Sequence, residues 1–306
     1  KVMISSATIP PDLAQGYFNT YQAGWSMFAK MRGKNTNSGC AWIDEFGSKV
    51  VSFKNTEEYR QHHDKFIEKR LKGLQSIEPK RKANLETCDT NERENNEDYL
   101  HEVMLKAALN KHNNHYVFDK NTAKKVSFGV VRMANIKPCV NFTRYLLDSE
   151  KALLPENVDI RVMAYHSAQL LIMRNEQEKH LDTVLKRHDE QALFNNPIIK
   201  AHLTVSEAEN IIFIVVATPV EEVGRDHDFD WAVIEPSSYR SFIQLAGRVL
   251  RHRKKTIQQP NIALLQHNLR GLNNKDKAYC YPGYESGDHK LKTHDLSQLV
   301  DVEKIA

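Results

Sequence analysis

Residues 211–253 read IIFIVVATPVEEVGRDHDFDWAVIEPSSYRSFIQLAGRVLRHR, and this stretch predicts the fold. It begins with a six-residue apolar run rich in β-branched side chains, Ile211 to Val216. A run of this length and composition is typical of a strand buried on both faces of a parallel sheet. Pro219 ends the run, because proline cannot donate to a central ladder. We therefore expect a loop at the strand's carboxyl end, where open α/β sheets bind ligands.

The predicted loop is acidic and contains one glycine. Its notable residues are Glu221, Glu222, Gly224, Arg225, Asp226 and Asp228. A second buried strand is predicted at 231–234, followed by a helix start at 236–238. That helix is expected to carry Gln244, Gly247, Arg248 and Arg251. Since Arg248 and Arg251 are three residues apart, we expect them to share one helix face and to suit phosphate, which arginine binds bidentately. A solvated basic face is the ordinary alternative for an isolated pair of this spacing.

Strands and helices are predicted to alternate from Lys125 onward, which is typical of an α/β fold with a parallel sheet flanked by helices. The expected strands are 126–133, 158–165 and 261–266, and the expected helices are 138–147 and 170–188. Residues 198–203 are interpreted as a strand or a short connector. After residue 270, glycine, asparagine and proline indicate loops.

The first part of the chain follows another pattern. We expect a helix from Pro10-Pro11-Asp12 to about Lys30, a hairpin formed by 40–44 and 49–53, and charged helices at 57–74 and 98–111. Residues 78–96 are polar and are interpreted as a linker, and residues 112–115 as a turn. The His62-His63-Asp64 triplet is not expected to hold a metal, because adjacent helical residues point about 100° apart.

Composition limits the function classes. The 306 residues carry a net charge of +4, which permits a nucleic-acid partner without proving one. The four cysteines are scattered, so neither a zinc site nor a disulfide framework is indicated, and a reducing cytoplasm fits best. No apolar run approaches the roughly 18 residues that a spanning helix needs, so no membrane partner is expected.

Several of these segments resemble a known family. ATPVEEVGRD, residues 217–226, followed by QLAGRVLR, residues 244–251, resembles motifs V and VI of superfamily 2 helicases, and Ser6-Ala7-Thr8 resembles their motif III. The longer segments SATIPPDLAQGYF, GVVRMANIKP and EVGRDHDFDWAVIEPSSYRSFIQLAGRVLRHR are similar to the CRISPR-associated helicase–nuclease of type I systems, most like subtype I-F. The resemblance covers residues 1 to about 270.

The resemblance implies a domain organisation. Residues 1–30 would end a first RecA-like domain, 31–124 would be a mostly helical insertion or linker, 125–270 a second RecA-like domain, and 271–306 the start of an accessory region. The sequence contains no G-x-x-x-x-G-K-[ST] phosphate loop and no D-E-x-[HDN] box. Both motifs precede motif III in the family, so we expect a fragment of a longer protein whose HD-type nuclease lies elsewhere.

The resemblance also implies residue roles in an ATP-dependent DNA helicase. Arg248 and Arg251 would face the phosphates, and Gln244 would place the attacking water or link to the other domain. Gly224 and Asp226 would lie near the ribose and the Mg²⁺-bound water, with ATP and Mg²⁺ held mainly by the missing half. The residues implied to contact DNA are Thr218, His166, Ser167 and Arg132. Those implied to couple hydrolysis to strand movement are Ser6 and Thr8.

The implied partners are single-stranded DNA, the CRISPR RNA-guided surveillance complex and, among further partners, phage inhibitor proteins. The parent protein would translocate on single-stranded DNA and would unwind and degrade foreign DNA at the R-loop, whereas the fragment alone is expected to be inactive. Two alternatives stay open: another superfamily 2 motor acting on DNA or RNA, and a non-catalytic module that binds partners through a helicase-like fold.

Overall fold

The computed structural model divides the chain into two compact units, residues 1–78 and 79–306. The structure describes residues 11–33, 38–44, 47–53, 55–89, 94–148, 152 and 154–302. Ser6 and Thr8, which the sequence associates with coupling, lie outside the described residues.

The first unit contains helix α1 (Pro11–Met31), the antiparallel strands β1 (Ser38–Asp44) and β2 (Gly47–Phe53), and helix α2 (Thr56–Gln75). Both predicted helices and the hairpin are confirmed. The Asn55 side chain caps α2 by accepting the Glu58 N–H at 2.9 Å. Aromatic side chains pack within this unit, with the Phe18 and Phe53 rings 4.9 Å apart and the Trp42 and Phe66 rings 6.0 Å apart.

The second unit is built on a seven-stranded sheet. Its strands are β3 (Ala83–Glu86), β4 (Val117–Asp119), β5 (Lys124–Arg132), β6 (Val158–Tyr165), β7 (Asn210–Ala217), β8 (Trp231–Ile234) and β9 (Ile262–Leu265). The spatial order is β3-β9-β8-β5-β7-β6, with all of these neighbours parallel, while β4 pairs antiparallel with β5. The predicted α/β class is confirmed.

Helices cover both faces of the sheet. They are α3 (Asn96–His115), α4 (Ile136–Leu147), α5 (Leu171–Val184), α6 (Pro197–Val205), α7 (Tyr239–Ala246), and the single turns α8 (Leu269–Leu272) and α9 (Leu296–Leu299). Alternate residues of β7 separate the two layers. Ile211 and Val215 pack with α5, α6 and α7, whereas Ile212 and Ile214 pack with α3, α4 and α8. The strand is thus buried on both faces, as its apolar run predicts. No helix in the described ranges has the length and apolar character to cross a bilayer.

A glycine allows the tightest contact in the sheet. Gly129 on β5 is paired with Trp231 on β8, and a Cβ atom at Gly129 would lie 2.1 Å from the indole ring. The indole N–H donates to Ser127 Oγ at 3.0 Å. Since a real Cβ cannot approach that closely, only glycine lets Trp231 lie across the neighbouring strand.

The interpretation of residues 78–96 as a linker is wrong at its centre, because 83–86 form the edge strand β3 beside β9. Asn261 fixes this pairing by accepting the Lys82 N–H and donating to the Lys80 carbonyl, both at 3.1 Å. Residues 79–124 therefore belong to the sheet-containing unit, and the boundary between units falls after Glu78 instead of at 124/125.

The turn predicted at 112–115 is also wrong, because α3 continues to His115. The His112 ring contacts Ser127 Oγ at 2.8 Å and Asn210 Oδ1 at 3.1 Å, so tertiary hydrogen bonds hold the last turn of the helix. Residues 198–203 lie in a helix, α6, instead of a strand. Its start carries Asn196 as cap and Pro197 at the first position.

The described C-terminal residues pack on the same unit. Leu272 lies in the apolar cluster with α3 and α4, and Leu296 lies in the cluster with α5, α6 and α7. Tyr279 and Cys280 are buried between these two points. Residues 271–302 are therefore part of the sheet-containing unit in the structure, although the sequence patterns there indicate mainly loops.

Candidate functional site

The carboxyl ends of β6, β7, β5 and β8 lie side by side. The Thr218 N–H donates to the Tyr165 carbonyl at 3.1 Å, the Met133 N–H to the Ala217 carbonyl at 2.8 Å, and the Glu235 N–H to the Arg132 carbonyl at 2.9 Å. These bonds connect the ends of four strands into one edge. Open parallel sheets bind their ligands at this edge, so the loops that leave it form the candidate site.

The loop after β7 begins with a single 3-10 turn, Pro219–Glu221. Glu221 and Glu222 are buried, whereas Val223 and Gly224 are exposed at the tip. Gly224 has φ +73°, a conformation that L residues rarely adopt, and a side chain there would meet no atom within 4 Å. The chain thus reverses at Gly224 and leaves open space beside it.

Arg132 lies beneath this loop, and its predicted contact with DNA is wrong. It is completely buried, and its Nε donates to Glu222 Oε1 at 2.9 Å. Its two Nη atoms donate to the Glu235 carbonyl at 3.0 Å and to Ser241 Oγ at 3.1 Å. Because all three guanidinium nitrogens are bonded within the protein and the side chain is buried, Arg132 cannot contact a nucleic acid in this structure.

The expected pairing of Arg248 and Arg251 on one helix face is wrong as well. Helix α7 ends at Ala246 with Gly247 as its cap, and Leu250 has φ +46°. The segment after the helix pairs with Phe229, whose N–H donates to the Arg248 carbonyl at 2.8 Å. Both arginines therefore lie beyond the end of α7 and share no helix face. The glycine was the sequence signal for a helix end at this position.

Arg248 is only 7% exposed and binds the backbone of the neighbouring loop. One Nη donates to the Glu222 carbonyl at 3.0 Å, and the other donates to the Arg225 carbonyl. These bonds bracket Gly224. Arg248 thus fixes the shape of the loop instead of presenting its guanidinium to solvent.

Arg251 is the exposed arginine of the motif, with 40% of its side chain accessible. Its Nε donates to Asp226 Oδ1 at 2.5 Å, and His252 Nε2 lies 3.1 Å from the same oxygen. Hydrogen bonds from Arg251 and His252 lower the pKa of Asp226 to about 2, so its carboxylate is ionised at neutral pH. A guanidinium and a carboxylate therefore lie together at the surface, close in sequence to the Gly224 tip.

The other predicted site residues lie on or near the same edge. Gln244 is half-buried on α7. Ser167 is exposed after β6, and His166 beside it is half-buried, with Nδ1 lacking a hydrogen-bond partner. Burial lowers the pKa of His166, so its ring is neutral at pH 7. Thr218 is 4% exposed and presents little surface, because it directly follows β7, which is paired on both sides.

A buried ionic network beneath the loop is not readable from the sequence. Arg253 donates to both oxygens of Asp228, at 2.7 and 3.1 Å, and to Asp230 Oδ1 at 2.6 Å. Arg187 Nη1 lies 2.9 Å from Asp230 Oδ2. Burial alone would raise the pKa of Asp230, but Arg187 and Arg253 outweigh burial and lower the pKa to about 2. The network anchors the segment that carries Arg248 and Arg251.

The loop is also tied to helix α5. The buried His227 ring contacts Glu221 Oε1 at 2.7 Å and Asp182 Oδ1 at 3.0 Å. Arg225 pairs with Glu178, which also accepts the Tyr165 hydroxyl at 2.8 Å. These contacts hold the loop against α5 and the end of β6. Among the described residues, no group of three or more His, Cys, Asp and Glu side chains is placed to hold a metal ion.

Residues 125–254 match the model of the family described as CRISPR-associated nuclease/helicase Cas3, C-terminal. The matched segment contains β5 to β8 and the loops just described. The whole chain is 37% identical to the CRISPR-associated nuclease/helicase Cas3 subtype I-F/YPEST of Pseudomonas aeruginosa, over 314 residues. It is 40% identical to the protein of the same description from Pectobacterium atrosepticum, over 98% of the chain. A crystal structure of T. fusca Cas3 aligns with 85% of the chain and 26% of its own length, at 16% identity and a TM-score of 0.48.

These findings confirm the family resemblance. Residues 125–254 belong to the C-terminal family of the class of CRISPR-associated nuclease/helicases. Within this class the chain as a whole is similar to the subtype I-F proteins. It spans 29% and 28% of the length of the two curated relatives, so it corresponds to a part of them.

Proposed function

We propose that this chain forms one half of the nucleotide site of an ATP-dependent DNA helicase and contacts single-stranded DNA along the carboxyl edge of its sheet. The observation that carries the proposal is the exposed Arg251–Asp226 pair beside the Gly224 loop. It lies within the segment that matches the C-terminal family of nuclease/helicases. A guanidinium held at the surface can act as an arginine finger, the group that stabilises charge on the transferred phosphoryl group in other NTPases.

The residues of this chain would then have separate tasks. Arg251 would bind the terminal phosphate, and Asp226 would orient the guanidinium until the phosphate arrives. Arg248 would keep the loop in shape through the Glu222 and Arg225 carbonyls. Gln244, half-buried on α7, would help to place the attacking water or link to the other domain. ATP, held with Mg²⁺ mainly by residues outside this chain, supplies the phosphoryl group that is transferred to water.

The DNA would follow the carboxyl edge near the end of β6. Exposed Ser167 and the neutral His166 ring would donate hydrogen bonds to backbone phosphates without reading bases. In the whole protein, the strand displaced at an RNA-guided surveillance complex would be the track, and a nuclease outside this chain would cut it in the cytoplasm. Phage inhibitor proteins would act on that whole protein.

The direct test is ATP hydrolysis by the full-length parent protein. We expect Arg251→Ala to lower DNA-stimulated turnover by roughly 10³-fold or more, as loss of an arginine finger does in other NTPases. DNA affinity should be retained, because Arg251 is not on the proposed DNA track. Lys254→Ala is the matched control, since Lys254 is an exposed cation three residues further on. Normal turnover in Arg251→Ala would refute the assignment, and a wild-type protein that hydrolyses no ATP would favour a non-catalytic, partner-binding role.

A further inference from the structure

Two exposed tyrosines stand on a folded loop of the C-terminal segment. Tyr281 is 82% exposed and Tyr284 is 65% exposed. The residues on either side, Tyr279, Cys280 and Glu285, are buried. The two phenol rings therefore project from a loop whose neighbouring residues are fixed in the protein. Two exposed aromatic rings this close in sequence can offer their faces to a ligand.

Glu285 fixes the loop from the inside. Its carboxylate accepts the Ala278 and Tyr279 N–H groups, both at 2.7 Å, the Leu291 N–H at 2.9 Å, and a contact from His294 Nε2 at 3.1 Å. Four groups thus converge on one buried side chain. Gly283 has φ +158°, and a Cβ atom there would lie 2.0 Å from the Tyr279 carbonyl oxygen. The loop conformation is therefore specified in detail, although its two tyrosines contribute little to the core.

The loop is attached to the carboxyl edge of the sheet. Asn135, which follows β5, donates from its side chain to the Tyr281 carbonyl at 2.7 Å. Asn268, which follows β9, donates to the Ala278 carbonyl at 2.9 Å and to the Pro236 carbonyl at 3.1 Å. Asn135 is the capping residue of α4 but makes no side-chain cap bond, so its amide serves the tyrosine loop instead. The tyrosines consequently lie at the same edge as His166 and Ser167.

The tyrosine loop and the arginine cluster belong to different faces of the unit. Helix α8 precedes the loop in sequence, and Asn135 at the start of α4 is hydrogen-bonded to it. Both helices pack in the apolar cluster with α3. Helix α7, which precedes Arg251, packs in the opposite cluster with α5 and α6. The tyrosines are therefore separate from the candidate nucleotide site.

The surroundings of the tyrosines are basic. Residues 270–292 contain five Lys or Arg and three Asp or Glu; Glu285 is buried in the loop, and Asp276 is paired with Lys290. Lys137, beside Asn135 at the start of α4, is exposed as well. Exposed aromatic rings beside cations are the combination by which proteins bind single strands without sequence preference, because every base has a face that stacks and every nucleotide carries a phosphate.

We propose that Tyr281 and Tyr284 form a stacking platform for the bases of single-stranded nucleic acid, with the lysines of this loop and Lys137 attracting the backbone. The proposal rests on the proposed function for the position of the DNA track at this edge. It adds a binding site on the α3–α4 face, so that the strand would extend from His166 and Ser167 toward the tyrosine loop.

The test is binding of a labelled oligothymidylate to the full-length parent protein without nucleotide, followed by fluorescence anisotropy. The double variant Tyr281→Ala/Tyr284→Ala should weaken binding at least ~10-fold, since alanine removes the ring faces on which the bases would stack. The variant Tyr281→Phe/Tyr284→Phe should bind like the wild type, because phenylalanine preserves the stacking face. Tyr239→Ala is the matched control, as Tyr239 is 53% exposed on α7. Unchanged thermal unfolding would show that the loop keeps its fold.

Three outcomes would overturn the inference. Wild-type affinity in the double alanine variant would show that the rings do not stack on bases, and equal losses in the alanine and phenylalanine variants would show that hydroxyl hydrogen bonds act instead. Loss of binding to the surveillance complex with unchanged oligothymidylate affinity would make the platform a protein contact. If any of these three results is accompanied by loss of turnover in Arg251→Ala, the proposed function stands without the platform. A wild-type protein that binds no oligothymidylate would refute both.

Discussion

Arg248 and Arg251 show which properties of two side chains a sequence motif predicts and which it does not. Both side chains contact the loop that follows β7, as residues of one site would, and their role in a functional site stays a prediction. Their contacts differ, however, since the Arg248 guanidinium is buried against backbone carbonyls and the Arg251 guanidinium is paired with Asp226 at the surface. The difference depends on where α7 ends, and Gly247 is the only local sign of that end.

Arg132 could not be assigned correctly from sequence, since its partner Glu222 is 90 residues away. We expect Arg132→Met to lower the free energy of unfolding by roughly 3–5 kcal/mol, because Glu222 would become an unpaired buried charge. The double variant Arg132→Met/Glu222→Gln should recover part of this loss, as measured by urea denaturation. Arg240→Met, at an exposed position on α7, is the control. A stable Arg132→Met protein with weakened DNA affinity would contradict the stabilising role and would support the predicted contact of Arg132 with DNA.

The sequence predicts secondary-structure elements correctly where a local run of apolar residues indicates a buried strand. Strand β8 and residues 211–217 of β7 are continuous apolar runs, and all of these residues except the half-buried Phe213 are buried. Strand β3 has only four residues within a polar segment, so its position depends on pairing with β9 and on the Asn261 side chain. The last turn of α3 likewise depends on contacts from His112 to residues far along the chain. Helix α6 was different, because Asn196 and Pro197 are local signals of its start.

The loop held by Glu285 should respond to acid. Burial alone would raise the pKa of Glu285, but the N–H donors and His294 outweigh burial and lower the pKa to about 2. A depressed pKa means that the stabilisation is complete above the ordinary value near 4.5 and is lost as the pH falls toward 2. We expect Glu285→Gln to destabilise the protein by roughly 1–3 kcal/mol at neutral pH.

The stability difference between wild type and Glu285→Gln should shrink as the pH falls from about 5 toward 2, as followed by urea denaturation at several pH values. Asp276→Asn is the matched control, because Asp276 is an exposed carboxylate in the same segment whose pKa is also lowered, by its bond to Lys290. A difference that stays constant across this range would contradict the role of the ionised Glu285 carboxylate.

At the scale of the whole molecule, the chain holds one side of the proposed nucleotide site. It spans 29% and 28% of the length of its curated relatives, and its sequence contains no phosphate-binding loop of the G-x-x-x-x-G-K-[ST] type. Arg251 and Asp226 lie at the surface of the sheet-containing unit, where a triphosphate bound by other residues could reach them. We therefore expect this chain alone to hydrolyse no ATP.

The most direct measurement compares the affinities of the full-length protein for ADP and for a non-hydrolysable ATP analogue in wild type and Arg251→Ala. If Arg251 contacts the terminal phosphate, the variant should bind the ATP analogue roughly 10-fold to 100-fold more weakly, the value of a charged hydrogen bond, while ADP affinity stays nearly constant. Equal affinities of wild type and variant for the ATP analogue, or equal losses for both nucleotides, would contradict the placement of Arg251 at that phosphate.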